Sequence, residues 1–161
     1  MGQRFKVTRL NGALERIYRN YRQPLYTCAL AVTRCPERAE DALQEAFYRL
    51  FRLERAPDNL RAYVFRAVRN AAVDSIRRSP PPSEPLSPFI FAPEEGPRET
   101  AEQSEFKRRA AEVLLTLSDD ERETIVQHLW GELSFQEIAQ LRDSPLGTVS
   151  SWYRRGIEKL R

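Results

Sequence analysis

The sequence predicts an all-α protein of two small helical domains joined by a proline-rich acidic linker, the second domain ending in a helix-turn-helix. Three observations predict it. Apolar residues recur at helical spacing nearly throughout, and no alternating β-branched run is long enough to make a sheet. Seven of the 11 prolines crowd between Ser79 and Glu105, leaving domains at 1–78 and 106–161 on either side. Near the end, the capping box Ser134-Phe135-Gln136-Glu137 and the pair Ser144-Pro145 mark the starts of two short helices separated by a tight turn.

Taken in order, Leu14, Ile17, Tyr18 and Tyr21 form a first stripe that resumes after Pro24 with Leu25, Cys28, Ala29 and Val32. A bent or split helix follows, because proline lacks the amide donor. Pro36 opens the second helix, predicted to run to about Leu53, with Ala39, Leu43, Ala46, Phe47, Leu50 and Phe51 inward. Asp41, Gln44, Glu45 and Tyr48 share its outer arc, which suits protein docking and, on periodicity alone, suits a solvated surface equally well. Pro57-Asp58-Asn59 supplies a turn and a cap for a helix from Leu60 to Arg78. That helix buries Leu60, Val64, Phe65, Ala67, Val68, Ala71, Ala72 and Ile76, and sets Arg66, Arg69, Asn70, Val73 and Arg77 on the opposite arc. Arginines around an asparagine make an edge for nucleic acid or an ordinary solvated face.

Between 79 and 105 the prolines favour extended geometry, so the segment reads as a flexible acidic tether, interrupted by Leu86, Phe89, Ile90 and Phe91. Phe106, Ala110, Val113, Leu114 and Leu117 restore the helical stripe. Ser118-Asp119-Asp120-Glu121 is another capping box, opening a helix with Ile125, Val126 and Leu129 inside and Gly131 placed to end it. The helix after Ser134 turns Phe135, Ile138, Ala139 and Leu141 inward. In the last helix, capped by Ser144 with Pro145 first, Val149, Trp152, Tyr153, Gly156, Ile157 and Leu160 share the inner face. Gly147, Thr148, Ser151, Arg154, Arg155 and Glu158 share the outer one. Small residues that permit close approach to bases, followed by arginines for phosphates, suit a recognition helix; the plainer alternative is an amphipathic hairpin closing a bundle.

Charge is uneven: residues 1–78 hold 16 basic and 8 acidic groups, residues 79–105 hold 1 and 6, and residues 106–161 hold 9 and 9. The basic first domain suits a polyanion partner. No apolar run approaches membrane-spanning length and the N-terminus lacks the core of a secretory signal, so a cytoplasmic protein without membrane insertion is expected. Cys28 and Cys35, read on one helix, stand roughly 10 Å apart along its axis, too far for a disulfide, and are expected to be buried thiols. With His128 the single histidine and no glycine-rich phosphate loop, no enzyme activity, metal or cofactor is expected. His128 itself reads as an edge-of-core residue.

The order Tyr21-Arg22-Gln23-Pro24-Leu25-Tyr26, Ala39-Glu40-Asp41-Ala42-Leu43-Gln44-Glu45-Ala46-Phe47, then Leu60-Arg61-Ala62-Tyr63 through Arg69-Asn70-Ala71-Ala72-Val73-Asp74 resembles the first conserved domain of bacterial sigma factors of the extracytoplasmic-function (ECF) group. Leu133-Ser134-Phe135-Gln136-Glu137-Ile138-Ala139 with Gly147-Thr148-Val149 resembles the second. The resemblance implies a sigma factor that directs RNA polymerase to promoters, its partners being the core enzyme (clamp helices and flap), promoter DNA and an anti-sigma factor. It implies that Asp41, Gln44, Glu45 and Tyr48 meet the core enzyme. It assigns Asn59, Arg61, Arg66, Arg69, Asn70 and Arg77 to the minus-10 element, and Gly147, Thr148, Ser150, Ser151, Arg154 and Arg155 to the minus-35 element. The linker would thread the enzyme's interior. Arg142, Asp143 and Ser144 depart from the group's usual apolar residue, glycine and apolar residue, and Ser150 and Trp152 stand where basic residues are frequent. A sigma-like decoy that binds an anti-sigma regulator without initiating transcription is the alternative function.

Overall fold

The computed structural model describes residues 2–80 and 101–161, and its regular structure there is entirely helical. Helices α1 (Gly2–Thr33), α2 (Pro36–Leu50) and α3 (Leu60–Arg78) pack on one another as a bundle. Helices α4 (Ala101–Thr116), α5 (Asp119–Leu129), α6 (Phe135–Leu141) and α7 (Leu146–Leu160) follow, with α5 seated against α1 and α6 against α3. The expected linker residues Leu86, Phe89, Ile90 and Phe91 lie outside the described residues, as do the side chains of Phe106 and Ala110. Helix α4 already begins at Ala101, inside the span read as linker.

Pro24 lies inside a continuous α1, so of the two expected outcomes, a bent or a split helix, the split does not occur. An interior proline costs about 3 kcal/mol. Leu14, Leu25 and Leu30 are fully buried on either side of it, each worth about 1.5–3 kcal/mol, so packing on α2 and α3 outweighs the lost hydrogen bond. Helix α1 stops at Thr33, where Arg34 turns left-handed at φ 53°. Cys28 and Cys35 therefore do not share a helix. Cys28 is buried in α1, while Cys35 is a half-buried free thiol at the start of α2, its Sγ 3.2 Å from Glu37 Oε2. Helix α2 ends at Leu50 rather than Leu53, and Phe51 is exposed rather than inward. Asn59 caps α3 as expected, its side chain accepting the Ala62 amide at 3.1 Å.

Helix α5 departs furthest from its expected amphipathicity. Leu129 is 51% exposed, whereas every residue from Glu121 to Gln127 is buried, because α1, α6 and α7 all pack on it. Its charged side chains are satisfied internally. The buried Arg122 guanidinium donates to the carbonyls of Leu114 and Leu117 at 2.9 and 2.8 Å and to Asp119 at 2.9 Å. Burial lowers its pKa, with Asp119 opposing that shift. The predicted capping box is formed, Ser118 and Glu121 exchanging amide hydrogen bonds.

Gly131 does not supply the left-handed stop expected of it; Glu132 does, at φ 55°. What Gly131 supplies is closeness. A Cβ there would stand 2.6 Å from the Gln127 carbonyl oxygen and 3.1 Å from the Phe65 ring of α3. Because a backbone carbonyl yields little, Gly131→Ala is expected to destabilise the protein by about 1–3 kcal/mol, read as a lower midpoint in thermal or urea unfolding. An unchanged midpoint would show that the contact relaxes freely.

Candidate nucleic-acid interface

On α2, Asp41, Gln44 and Tyr48 are exposed, Tyr48 to 62%. Glu45 is half-buried instead, paired with Arg49 at 2.5 Å and Arg78 at 3.7 Å, and the Arg52 guanidinium lies 4.6 Å from the Tyr48 ring. The predicted arc is present, with Glu45 its least available member.

The predicted arc of α3 divides. Arg66, Asn70 and Arg77 are exposed, and Arg66 and Asn70 line an open hollow with Tyr63 and Leu53. Arg69 does not stand free. Its Nε donates to Glu123 Oε2 of α5 at 2.7 Å, and its side chain is only 20% exposed. Arg61 donates to the carbonyls of Gly131 and Glu132 at 3.1 and 3.3 Å and lies 3.5 Å from Glu137 Oε1. Asn59, besides capping α3, donates from Nδ2 to the same Glu137 oxygen at 2.8 Å. Helical periodicity correctly places these residues off the bundle core, but it cannot see that a second set of helices covers part of that arc.

The helix-turn-helix follows its local chemistry. Ser134 Oγ accepts the Glu137 amide at 3.1 Å, and Glu137 Oε2 accepts the Ser134 amide at 2.8 Å, completing the predicted box. The turn differs from expectation. Ser144 is not the N-cap: its amide donates to the Ala139 carbonyl at 3.0 Å and its hydroxyl to the Arg142 carbonyl at 3.1 Å. Pro145 is the extended N-cap residue (ψ 145°), its carbonyl accepting the amides of Thr148 and Val149, so α7 starts at Leu146. With its hydroxyl turned back to the Arg142 carbonyl, Ser144 closes the preceding turn rather than capping α7, and the cap falls one place along. Asp143 takes the left-handed turn position at φ 47°, one that an aspartate tolerates.

Val149 and Gly156 are buried beneath α7, where a Cβ on Gly156 would meet Ile125 Cδ1 at 2.5 Å, so α5 and α7 approach closely. Outside, Gly147, Arg154 and Arg155 are exposed and Thr148, Ser150 and Ser151 are half-buried along the same start of the helix. Leu146, the first residue of α7, is 45% exposed, and the sequence pattern placed it on neither face. His128 packs against Phe135 and Tyr153 between the helices, its Nδ1 2.7 Å from the Leu133 carbonyl.

Arg142 is the other residue that pattern alone misplaced. Its side chain is 4% exposed, paired with Asp120 at 2.5 Å, near Glu123 at 3.6 Å, and with its guanidinium 4.5 Å from the Trp152 ring. A stacked, ion-paired guanidinium thus fills the site where an apolar residue was expected. Among the described residues no cluster of three or more His, Cys, Asp or Glu is arranged for a metal, and no helix is long and apolar enough to cross a membrane.

A helix-turn-helix with Gly147, Arg154 and Arg155 exposed on its second helix, packed on a bundle that carries an acidic arc and an arginine arc, has the build of a two-part DNA-binding transcription factor. Comparison with known proteins agrees: residues 17–79 match sigma-70 region 2 and residues 113–161 match sigma-70 region 4. The ECF RNA polymerase sigma factor SigM of Bacillus subtilis is 25% identical over 92% of this chain and 93% of its own length. The SigW factor of the same organism is 27% identical over 88% and 83%. The crystallised sigma factor RpoE in complex with the anti-sigma factor NepR from Bartonella quintana superposes with a TM-score of 0.70 at 20% identity, covering 91% of this chain and 92% of that one. The chain belongs to the sigma-70 family, in its extracytoplasmic-function group. It directs RNA polymerase core to promoter DNA, acting by binding rather than by catalysis.

Two carboxylates in this site are shifted alike. Burial resists ionisation of Glu137, but the Ser134 amide, Asn59 and Arg61 outweigh it and hold its pKa below the ordinary value. Burial likewise opposes Glu121, and Lys159 at 2.7 Å with the Ser118 amide outweighs it. A carboxylate depressed on folding stabilises the protein above its unfolded pKa of about 4.3, and that contribution is lost as pH falls through the folded value. Unfolding free energy is therefore expected to hold level above that pH and to decline below it. The decline should be shallower in Glu121→Gln/Glu137→Gln, since glutamine keeps the cap without the charge; equal acid slopes would remove the assignment.

Proposed function

We propose that the two matched regions divide the work of promoter recognition, with residues 1–78 serving the core enzyme and the minus-10 element, residues 106–161 the minus-35 element, and 79–105 linking them. Asp41, Gln44 and Tyr48 of α2, with Glu45 at their edge, meet the polymerase clamp helices. Asn59, Arg61, Arg66, Arg69, Asn70 and Arg77 meet the minus-10 element, Asn70 as a base reader because an amide both donates and accepts. On α7, Gly147, Thr148, Ser150 and Ser151 approach minus-35 bases, and Arg154 and Arg155 grip phosphates. Leu146 offers an apolar contact suited to a thymine methyl. The observation that carries this reading is the outer side of α7, where exposed Gly147 and half-buried Thr148, Ser150 and Ser151 are followed a turn later by exposed Arg154 and Arg155. The protein acts in the cytoplasm. An anti-sigma factor is a further partner, supported by the likeness to a fold crystallised with one.

Reconstitution with core polymerase and run-off transcription tests the proposal. Asp41→Arg should weaken core binding by about tenfold or more while moving stability by about 0.5 kcal/mol or less. Ser151→Ala should change tolerance of minus-35 substitutions, each lost base contact being worth about 1–3 kcal/mol. Arg154→Ala should instead weaken all promoters alike and reduce the salt slope by about 0.9. Unimpaired core affinity in Asp41→Arg removes the α2 assignment, and an absence of transcripts with intact anti-sigma binding would favour the decoy.

A further inference from the structure

Glu121 is buried where α5 meets α7, and both of its carboxylate oxygens are engaged. Oε2 accepts the Ser118 amide at 3.2 Å and the Lys159 ammonium at 2.7 Å. Oε1 lies 3.6 Å from Arg155 Nε. Gly156, between those two cations in the chain, lets α7 lie close enough for this, since a Cβ there would press on Ile125 and come within 3.4 Å of Glu121 Cβ. The neighbouring Arg154 is placed differently, 69% exposed with the exposed Glu158 at 3.8 Å.

We infer that Glu121 is the positioning residue of the minus-35 phosphate grip: it holds Arg155 by Nε and so leaves the two Nη nitrogens for a phosphate. The inference rests on the assignment of α7 to minus-35 DNA. An arginine can serve two anions at once because its five N–H donors form a rigid planar fork, whereas a lysine offers one compact ammonium. A guanidinium already pinned has less freedom left to lose when DNA arrives. Arg154 has no such buried hold and meets DNA as an unpinned charge. Lys159 completes the arrangement, because one carboxylate shared by two cations leaves a net positive charge beside the DNA backbone. Net charge alone makes the opposite prediction for Glu121. Neutralising a carboxylate near phosphates strengthens binding, whereas losing a positioning carboxylate weakens it.

The test uses holoenzyme reconstituted from the full chain and core polymerase, titrated with a fluorescent duplex of a promoter that it transcribes, at several salt concentrations. Thermal unfolding of the free chain checks that each variant is folded. Arg155→Lys keeps the charge but cannot reach carboxylate and phosphate together. It should weaken binding at least about fivefold and lower the salt slope by about 0.9, as Arg155→Ala does. The loss on changing arginine to lysine should be smaller at 154, where there is one phosphate to serve and no buried carboxylate. Glu121→Gln, which keeps the cap, should also weaken binding, and should add little in the Arg155→Lys background. Wild-type affinity and slope in Arg155→Lys, or tighter binding in Glu121→Gln, overturns the positioning role and leaves α7 as the reading helix. Unaltered binding in both Arg154→Ala and Arg155→Ala removes α7 from the DNA, and the inference with it. If Glu121→Gln does not fold, the lysine comparison at 154 and 155 decides alone.

Discussion

Helix α5 has no solvent side along Glu121 to Gln127, and this constraint governs much of the C-terminal half. A helix surrounded by α1, α6 and α7 but bearing two glutamates and an arginine must pair every charge within the protein. Arg122 is answered by its own neighbourhood, the end of α4 and the α5 cap. Glu121 is answered by Arg155 and Lys159 of α7, which fixes the far end of that helix. Glu123, 8% exposed, is answered from two directions at once, by Arg69 of α3 and Arg142 of the turn. One buried helix thus sets where α7 lies and where the N-terminal bundle rests.

The elements were legible in the sequence wherever the deciding physics is local. Capping boxes at Ser118 and Ser134 and the Asn59 cap form as read, because their hydrogen bonds join residues three apart. The inward stripe of α2 is right for the same reason, the helical period being intrinsic, save at Phe51, which falls beyond the helix end. Two departures share the opposite cause. Leu129 is left outside while Glu123 goes in, and Arg69 is covered, each decided by what packs from elsewhere in the chain. The cap of α7 falls one residue later than expected because Ser144 gives its amide to the Ala139 carbonyl and its hydroxyl to the Arg142 carbonyl.

The outer face of α7 was readable because Gly147, Arg154, Arg155 and Glu158 stay exposed, so periodicity suffices to place them. The turn before it was not. A buried arginine stacked on a tryptophan leaves no periodic trace, and its only sequence signal is a pair of unusual residues, Arg142 and Trp152, ten places apart.

That pair bears on any attempt to change the promoter this protein serves. Recognition helices invite transplantation, since their outward residues look interchangeable between related factors. Here position 152 is not a surface position in energetic terms. A lysine or arginine brought in with a foreign helix would set its cation against the enclosed guanidinium of Arg142, which already has Asp120 and the ring to satisfy it. The graft would tilt or loosen the helix whose placement was the reason for grafting. Residues 142 and 152 form one unit of inheritance, and a helix exchanged between factors must carry both or neither.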